Sequence, residues 1–254
     1  MNTFLGIDLG WYGKPSGLAS IRLEGAELVL HNVTRLESNQ EILQWIRAES
    51  QDGHAVAAVD APLVIPNATG IRLAERALNQ DFRRFHAGCH AANLGRPFAA
   101  NVTSFSRQLE TLGFQHGAGI APRQDGRFQI EVHPHAATIR LFELDRIVKY
   151  KRGVRAHRAR ELRRLRQLMQ SQLPKLDPPF VPRLPSIPRI GPLKPAEDQI
   201  DAVLCAYIAA HWWFWARQRN TLYGSAAEGY IVVPEPRFTS RRVLERELAS
   251  PLPA

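Results

Sequence analysis

Five acidic residues stand at the edges of apolar segments, and their placement is the strongest chemical signal in the chain. Asp8 closes Phe4-Leu5-Gly6-Ile7, Asp60 closes Ala55-Val56-Ala57-Ala58-Val59, Glu131 follows Phe128-Gln129-Ile130, and Asp198-Gln199-Ile200-Asp201 opens a strongly hydrophobic stretch. Burying an unpaired carboxylate is costly, so an acid at such a point is exposed in a cleft, hydrogen-bonded or bound to a cation. Acids gathered from distant segments suit a hard divalent ion, Mg²⁺ or Mn²⁺, which prefers carboxylate and water oxygens. Two such ions roughly 3.5–4 Å apart activate a hydrolytic nucleophile and stabilise the departing alkoxide in phosphodiester cleavage. The expected metal ligands are Asp8, Asp60, Glu131 and Asp201, with Asp8 shared at the sheet centre and Asp198 completing or tuning the catalytic set. His133, in Glu131-Val132-His133-Pro134-His135, adds a side chain that changes charge near neutral pH and could carry a proton or ligate. A capping role in the rigid turn around Pro134 is the competing reading for both histidines.

Positive charge is concentrated elsewhere. Lys149 to Arg166 holds nine Lys or Arg against Glu161 alone, and this segment accounts for most of the net charge of +9. A calculated pI of about 10.1 favours a polyanionic partner, and Lys and Arg contacts to phosphate dominate nucleic-acid affinity. The candidate phosphate contacts are Lys14, Arg72, Arg76, Lys149, Lys151, Arg152, Arg155 and Arg158. A solvated helix face with local salt bridges is the alternative. Trp212, Trp213, Phe214 and Trp215 sit in an apolar helix, where core packing is expected rather than base stacking.

The elements that must position these residues follow from periodicity and turn chemistry. Residues 3–9, 17–23 and 26–33 read as strands, with Glu24-Gly25 a tight turn, which makes an antiparallel meander. Ser38-Asn39-Gln40-Glu41 matches a capping box ahead of a helix. Residues 55–60 form a continuous apolar run, as expected of a parallel strand covered on both faces. Helices are predicted over 71–86 and 101–114, the second capped by Asn101 or Thr103. Residues 127–132 read as the fifth strand, followed by helices over 136–144 and 155–173. Eight prolines between 174 and 195 exclude a regular helix there and imply an extended connection along the surface. Pro195 suits a helix start, and the following helix, to Arg217, is apolar nearly all round, with Asp198 and Asp201 on one face of its first turn near the positive end of its dipole. Residues 229–233 suggest an edge strand.

With 254 residues, 44% of them hydrophobic, the chain is expected to form one domain over 1–235, with 236–254 as a loosely attached tail. Cys89 and Cys205 supply neither a disulfide framework nor metal-ligand spacing, which points to a reducing cytoplasm. Neither a signal peptide nor a membrane-length apolar segment is seen.

Three hairpin strands, a crossover helix, a parallel strand, helices, another parallel strand and a closing helix are the element order of the ribonuclease H fold. The expected architecture is therefore α/β, a mixed five-stranded sheet flanked by helices. Its first three strands run antiparallel, and the two later strands run parallel to the first. Gly6-Ile7-Asp8, Asp60-Ala61-Pro62-Leu63, Arg76, Glu131-Val132-His133-Pro134, Tyr150-Lys151-Arg152-Gly153 and Asp198-Gln199-Ile200-Asp201-Ala202 together resemble the family called domain of unknown function 429, over roughly residues 3–235. That resemblance implies a ribonuclease H-like nuclease. The arrangement is also similar to Holliday-junction resolvases, although this chain offers Asp60 where they carry glutamate and has Glu131 in addition.

The expected function is divalent-metal-dependent hydrolysis of nucleic-acid phosphodiesters. A non-catalytic nucleic-acid-binding protein is the alternative. Sugar kinases and chaperone ATPases share the opening motif, but they close two related domains over a nucleotide, and no second aspartate-glycine phosphate turn is present here.

Overall fold

A computed structural model describes residues 2–51 and 53–235. The predicted meander is present as β1 (Asn2–Asp8), β2 (Ser16–Glu24) and β3 (Glu27–Leu36), paired antiparallel. The helix α1 (Asn39–Ser50) opens on the expected capping box: Glu41 N–H donates to Ser38 Oγ at 3.3 Å, and Ser38 N–H donates to Glu41 Oε2 at 2.9 Å. The chain then enters β4 (His54–Val59), which lies parallel to β1.

After β4 come α2 (Leu73–Phe82), α3 (Ala99–Thr111), a two-residue strand β5 (Gln115–His116), β6 (Arg127–Glu131) and α4 (Pro134–Leu141). The sheet has six strands in the order β3-β2-β1-β4-β6-β5, one more than expected. β5 escapes sequence reading because two residues carry no periodicity; its pairing with β6 defines it. Neither Asn101 nor Thr103 caps α3, which starts two residues before Asn101. Asn101 instead donates to the Trp11 carbonyl, and Thr103 bonds back to the Ala99 carbonyl.

Helix α5 (Arg155–Gln172) precedes the proline-rich connection, and α6 (Lys194–Trp215) follows it. The closing strands β7 (Asn220–Ser225) and β8 (Gly229–Pro234) form their own antiparallel pair. The anticipated strand at 229–233 is thus half of a separate hairpin rather than an edge of the main sheet. Tyr223, Ile231 and Val233 pack it on Ala74, Leu78 and Phe82 of α2.

Alternation along the strands divides the core. Phe4, Val56, Ala58, Ile130 and Val132 face α6, while Leu5, Ile7, Ala57 and Val59 face Ile42 and Ile46 of α1 and Val102, Phe105 and Leu109 of α3. α6 is buried nearly all round, as its composition predicts. Among the described residues no helix is long and apolar enough to cross a membrane. The tail expected at 236–254 lies outside the described residues.

Candidate functional site

The approach of α6 to the sheet builds the site. A Cβ on Gly6 would overlap the Ala202 carbonyl and the Ala206 nitrogen, and one on Gly17 would overlap the Asp198 carbonyl. Glycine at both positions lets α6 lie against β1 and β2. Asp8, two residues after Gly6 and paired with Gly17, therefore projects to the same face. Asp201 meets it there from α6. The helix starts at Lys194, so Glu197 rather than Asp198 occupies its first turn, and the dipole argument for the two aspartates weakens because that effect fades within one turn.

Register separates the acids of the parallel strands. Ile7 pairs with Val59, and Val59 with Glu131. Paired residues share a face, so Glu131 falls on the α1/α3 side with Ile7 and Val59. Asp8, one residue further on than Ile7, belongs to the α6 side, while Asp60, just past the end of β4, lines one small cavity with Trp11, Glu131 and His133. The strand residue matching Asp60 is Val132, whose N–H bonds the Val59 carbonyl at 3.0 Å. Glu131 accepts the Leu63 N–H at 3.0 Å and both terminal nitrogens of Arg72, at 2.9 and 2.5 Å. Arg72 also donates to Glu75 at 2.9 Å and to the Val64 carbonyl at 2.8 Å. At 3% exposure, Arg72 presents nothing to a phosphate, which corrects the expectation for it. Its position before a helix gave no hint that two buried carboxylates would claim it.

Lys151 stands among the remaining acids. It comes from the loop between α4 and α5, with Nζ 2.8 Å from Asp201 Oδ2. Tyr150, its neighbour, donates its hydroxyl to Asp201 Oδ1 at 2.6 Å. Asp198 is held by Arg35 at 3.0 Å and by Lys194. The Asp8 and Asp60 side chains make no hydrogen bond among the described residues; His133 Nδ1 lies 4.0 Å from Asp60 Oδ1.

Electrostatics follow from this crowding. Burial is the main cause raising the Asp8 carboxyl well above its usual range; Lys151 opposes the rise, and Asp201 and Asp60 add to it. Burial likewise lifts Asp60 to about 6, again opposed by Lys151 and reinforced by Asp201 and Glu131. Burial alone would lower the Lys151 ammonium, yet Asp201, Tyr150, Asp8 and Asp60 together hold it well above the ordinary lysine value. His133 is pushed down to about 4 by burial and by Lys151, so near neutral pH it is an uncharged acceptor and does not titrate there as expected. Its Nε2 is buried without a hydrogen-bond partner among the described residues. His135 is lowered well below the usual value by burial, Lys151 and His133.

The basic candidates divide by what they already hold. Arg155 donates to the Gly191 and Pro188 carbonyls at 2.8 and 3.1 Å, and Arg158 to the Tyr150 carbonyl and to Glu197 at 3.2 and 2.6 Å. Arg166 donates to the Pro185 carbonyl at 3.1 Å. Much of α5 therefore straps the proline-rich connection, whose prolines lack N–H groups and whose carbonyls must find donors elsewhere. Lys14, Arg76, Lys149 and Arg152 are exposed and form no side-chain hydrogen bond or ion pair among the described residues.

Carboxylate oxygens on Asp8 and Asp60, raised in pKa and lacking a bonded partner, match the donor chemistry of Mg²⁺ or Mn²⁺. Among the described residues no group of three His, Cys, Asp or Glu converges as a ready-made metal cage, so two protein carboxylates and solvent are the oxygen set that fits. No curated protein matches the chain. The family model described as a protein of unknown function, DUF429, matches residues 6–228, and the chain belongs to that family.

Proposed function

We propose that the protein is a divalent-metal-dependent nuclease of ribonuclease H-like fold, hydrolysing nucleic-acid phosphodiesters at the site of Asp8, Asp60 and Asp201. The observation that carries this reading is the pair Asp8 and Asp60 at the carboxyl ends of adjacent parallel strands, the edge where open α/β sheets bind ligands. The strand order β3-β2-β1-β4-β6 supports the fold assignment.

Asp8 and Asp60 would hold the ion. When bound, it supplies positive charge for the developing phosphoryl oxyanion and a lowered pKa for water. The chain's own residues do the rest. Lys151 offsets Asp201 and lessens the repulsion that a phosphate meets on approach. His133, uncharged and 4.0 Å from Asp60, can orient a water at the cleft by a hydrogen bond. Lys149 and Arg152, exposed on the loop that carries Lys151, suit the flanking phosphates.

The Lys151–Asp201 pair also favours a second reading, a nucleic-acid-binding protein whose acids are neutralised internally without turnover. Cleavage of labelled single-stranded, duplex, hybrid and four-way-junction substrates by wild type and Asp8→Asn, with Mg²⁺, Mn²⁺ or chelator, decides between them. Metal-dependent products absent from Asp8→Asn are expected. Binding without products under every metal supports the second reading, and wild-type cleavage by Asp8→Asn removes Asp8 from the mechanism.

A further inference from the structure

The five acids at the strand and helix ends are not equivalent once their partners are counted. Glu131 is satisfied by Arg72 and the Leu63 N–H. Asp198 is satisfied by Arg35 and Lys194. Asp201, fully buried, receives the Tyr150 hydroxyl on Oδ1, while among the described residues Oδ2 takes no hydrogen bond and is met by the Lys151 ammonium at 2.8 Å. That contact is one of charge at short range, the role a metal ion would fill on the same oxygen. Of these five acids, only Asp8 and Asp60 keep carboxylates without a bonded donor among the described residues.

Two open carboxylates with adjacent solvent are a sparse ligand set for two dications. Repulsion between two such ions is relieved by bridging anions, and the acids that could share in bridging here are already engaged.

We propose that the centre takes one divalent ion, on Asp8 and Asp60, and that Lys151 Nζ, resident on Asp201, is its second positive charge. The inference rests on the nuclease reading for its purpose but not for its test, which reads stoichiometry. Lys151 comes from a loop whose neighbour Gly153 has φ +104°, a left-handed conformation that favours glycine. Tyr150, buried at 1% exposure, anchors that loop on the same aspartate, so the ammonium is fixed from the residue beside it.

The test is Mn²⁺ titration of the full chain at neutral pH, with free ion followed by electron paramagnetic resonance, on wild type, Lys151→Gln, Lys151→Arg and Asp8→Asn. Wild type is expected to bind one Mn²⁺ per chain and Lys151→Gln two, because the vacated Asp201 oxygen then accepts an ion. Lys151→Arg retains the charge and should stay at one; it also serves if Lys151→Gln fails to fold, since a count of two in the arginine variant overturns the proposal. Asp8→Asn should lose the ion. Two ions in wild type, none in wild type, or one in a folded Lys151→Gln each overturn the proposal. One ion in wild type, two in Lys151→Gln and no cleavage of any nucleic acid would leave the proposal standing and remove the nuclease reading.

Discussion

The Arg72 guanidinium grips Glu131 with both terminal nitrogens, Nη1 to Oε2 at 2.9 Å and Nη2 to Oε1 at 2.5 Å, and turns its Nε to Glu75. All three side chains are withdrawn from solvent. Arg72→Met leaves two buried carboxylates without a cation and should cost about 3–5 kcal/mol, read as a lowered midpoint in urea denaturation. Glu131→Gln should leave Mn²⁺ binding within about twofold of wild type. A metal ligand at this position would instead lose about 10-fold or more, by analogy with the effect of even outer-shell changes.

Gly6→Ala tests whether the close approach of α6 builds the site. The new methyl has only backbone of Ala202 and Ala206 to meet, which cannot yield as a side chain would. Destabilisation of about 1–3 kcal/mol or more is expected, together with weaker Mn²⁺ binding as Asp201 and Lys151 move away from Asp8. Unchanged stability would mean that α6 tolerates a wider spacing.

The metal-free protein should lose stability as pH rises through 6. Asp60 takes up its proton at about 6 in the folded chain against an ordinary 3.8, so the folded state binds more protons between those values. The resulting stabilisation is complete below pH 3.8 and disappears as pH passes 6, a swing on the order of 1–3 kcal/mol. Asp60→Asn should remove that component from the pH–stability profile. Adding Mg²⁺ should raise the melting temperature more at pH 7 than at pH 5, because protons compete with the ion for the same oxygens.

The division of labour among basic residues predicts two different phenotypes. Lys149→Ala and Arg152→Ala should each weaken nucleic-acid binding and lower the slope of log affinity against log salt by about 1. Arg155→Ala should leave that slope unchanged and instead expose the segment around Pro188 and Gly191 to limited proteolysis, since Arg155 holds those carbonyls. A salt-slope change in Arg155→Ala without new proteolysis would reassign it to phosphate.

Local patterns in the chain predicted much of what is observed. The meander, the capping box of Ser38 and Glu41, the parallel strand to Val59 and the buried final helix all depend on residues within a few positions of one another, where period, turn and cap are written directly. Strand β7 was invisible for the same reason: Asn220-Thr221-Leu222-Tyr223-Gly224-Ser225 has little apolar alternation and becomes a strand through pairing with β8 and packing on α2.

The sequence by itself determined that acids end the apolar runs and that cations crowd residues 149–166, because composition and periodicity are properties of the chain. Tertiary structure decided which of them meet. A single residue of strand parity sends Glu131 to the opposite face from Asp8, two glycines admit α6, and a loop far from either strand delivers Lys151 to Asp201. Registers and crossings of this kind are set by side-chain fit between segments distant in the chain, where the free energy belongs to the pair and neither segment carries it alone.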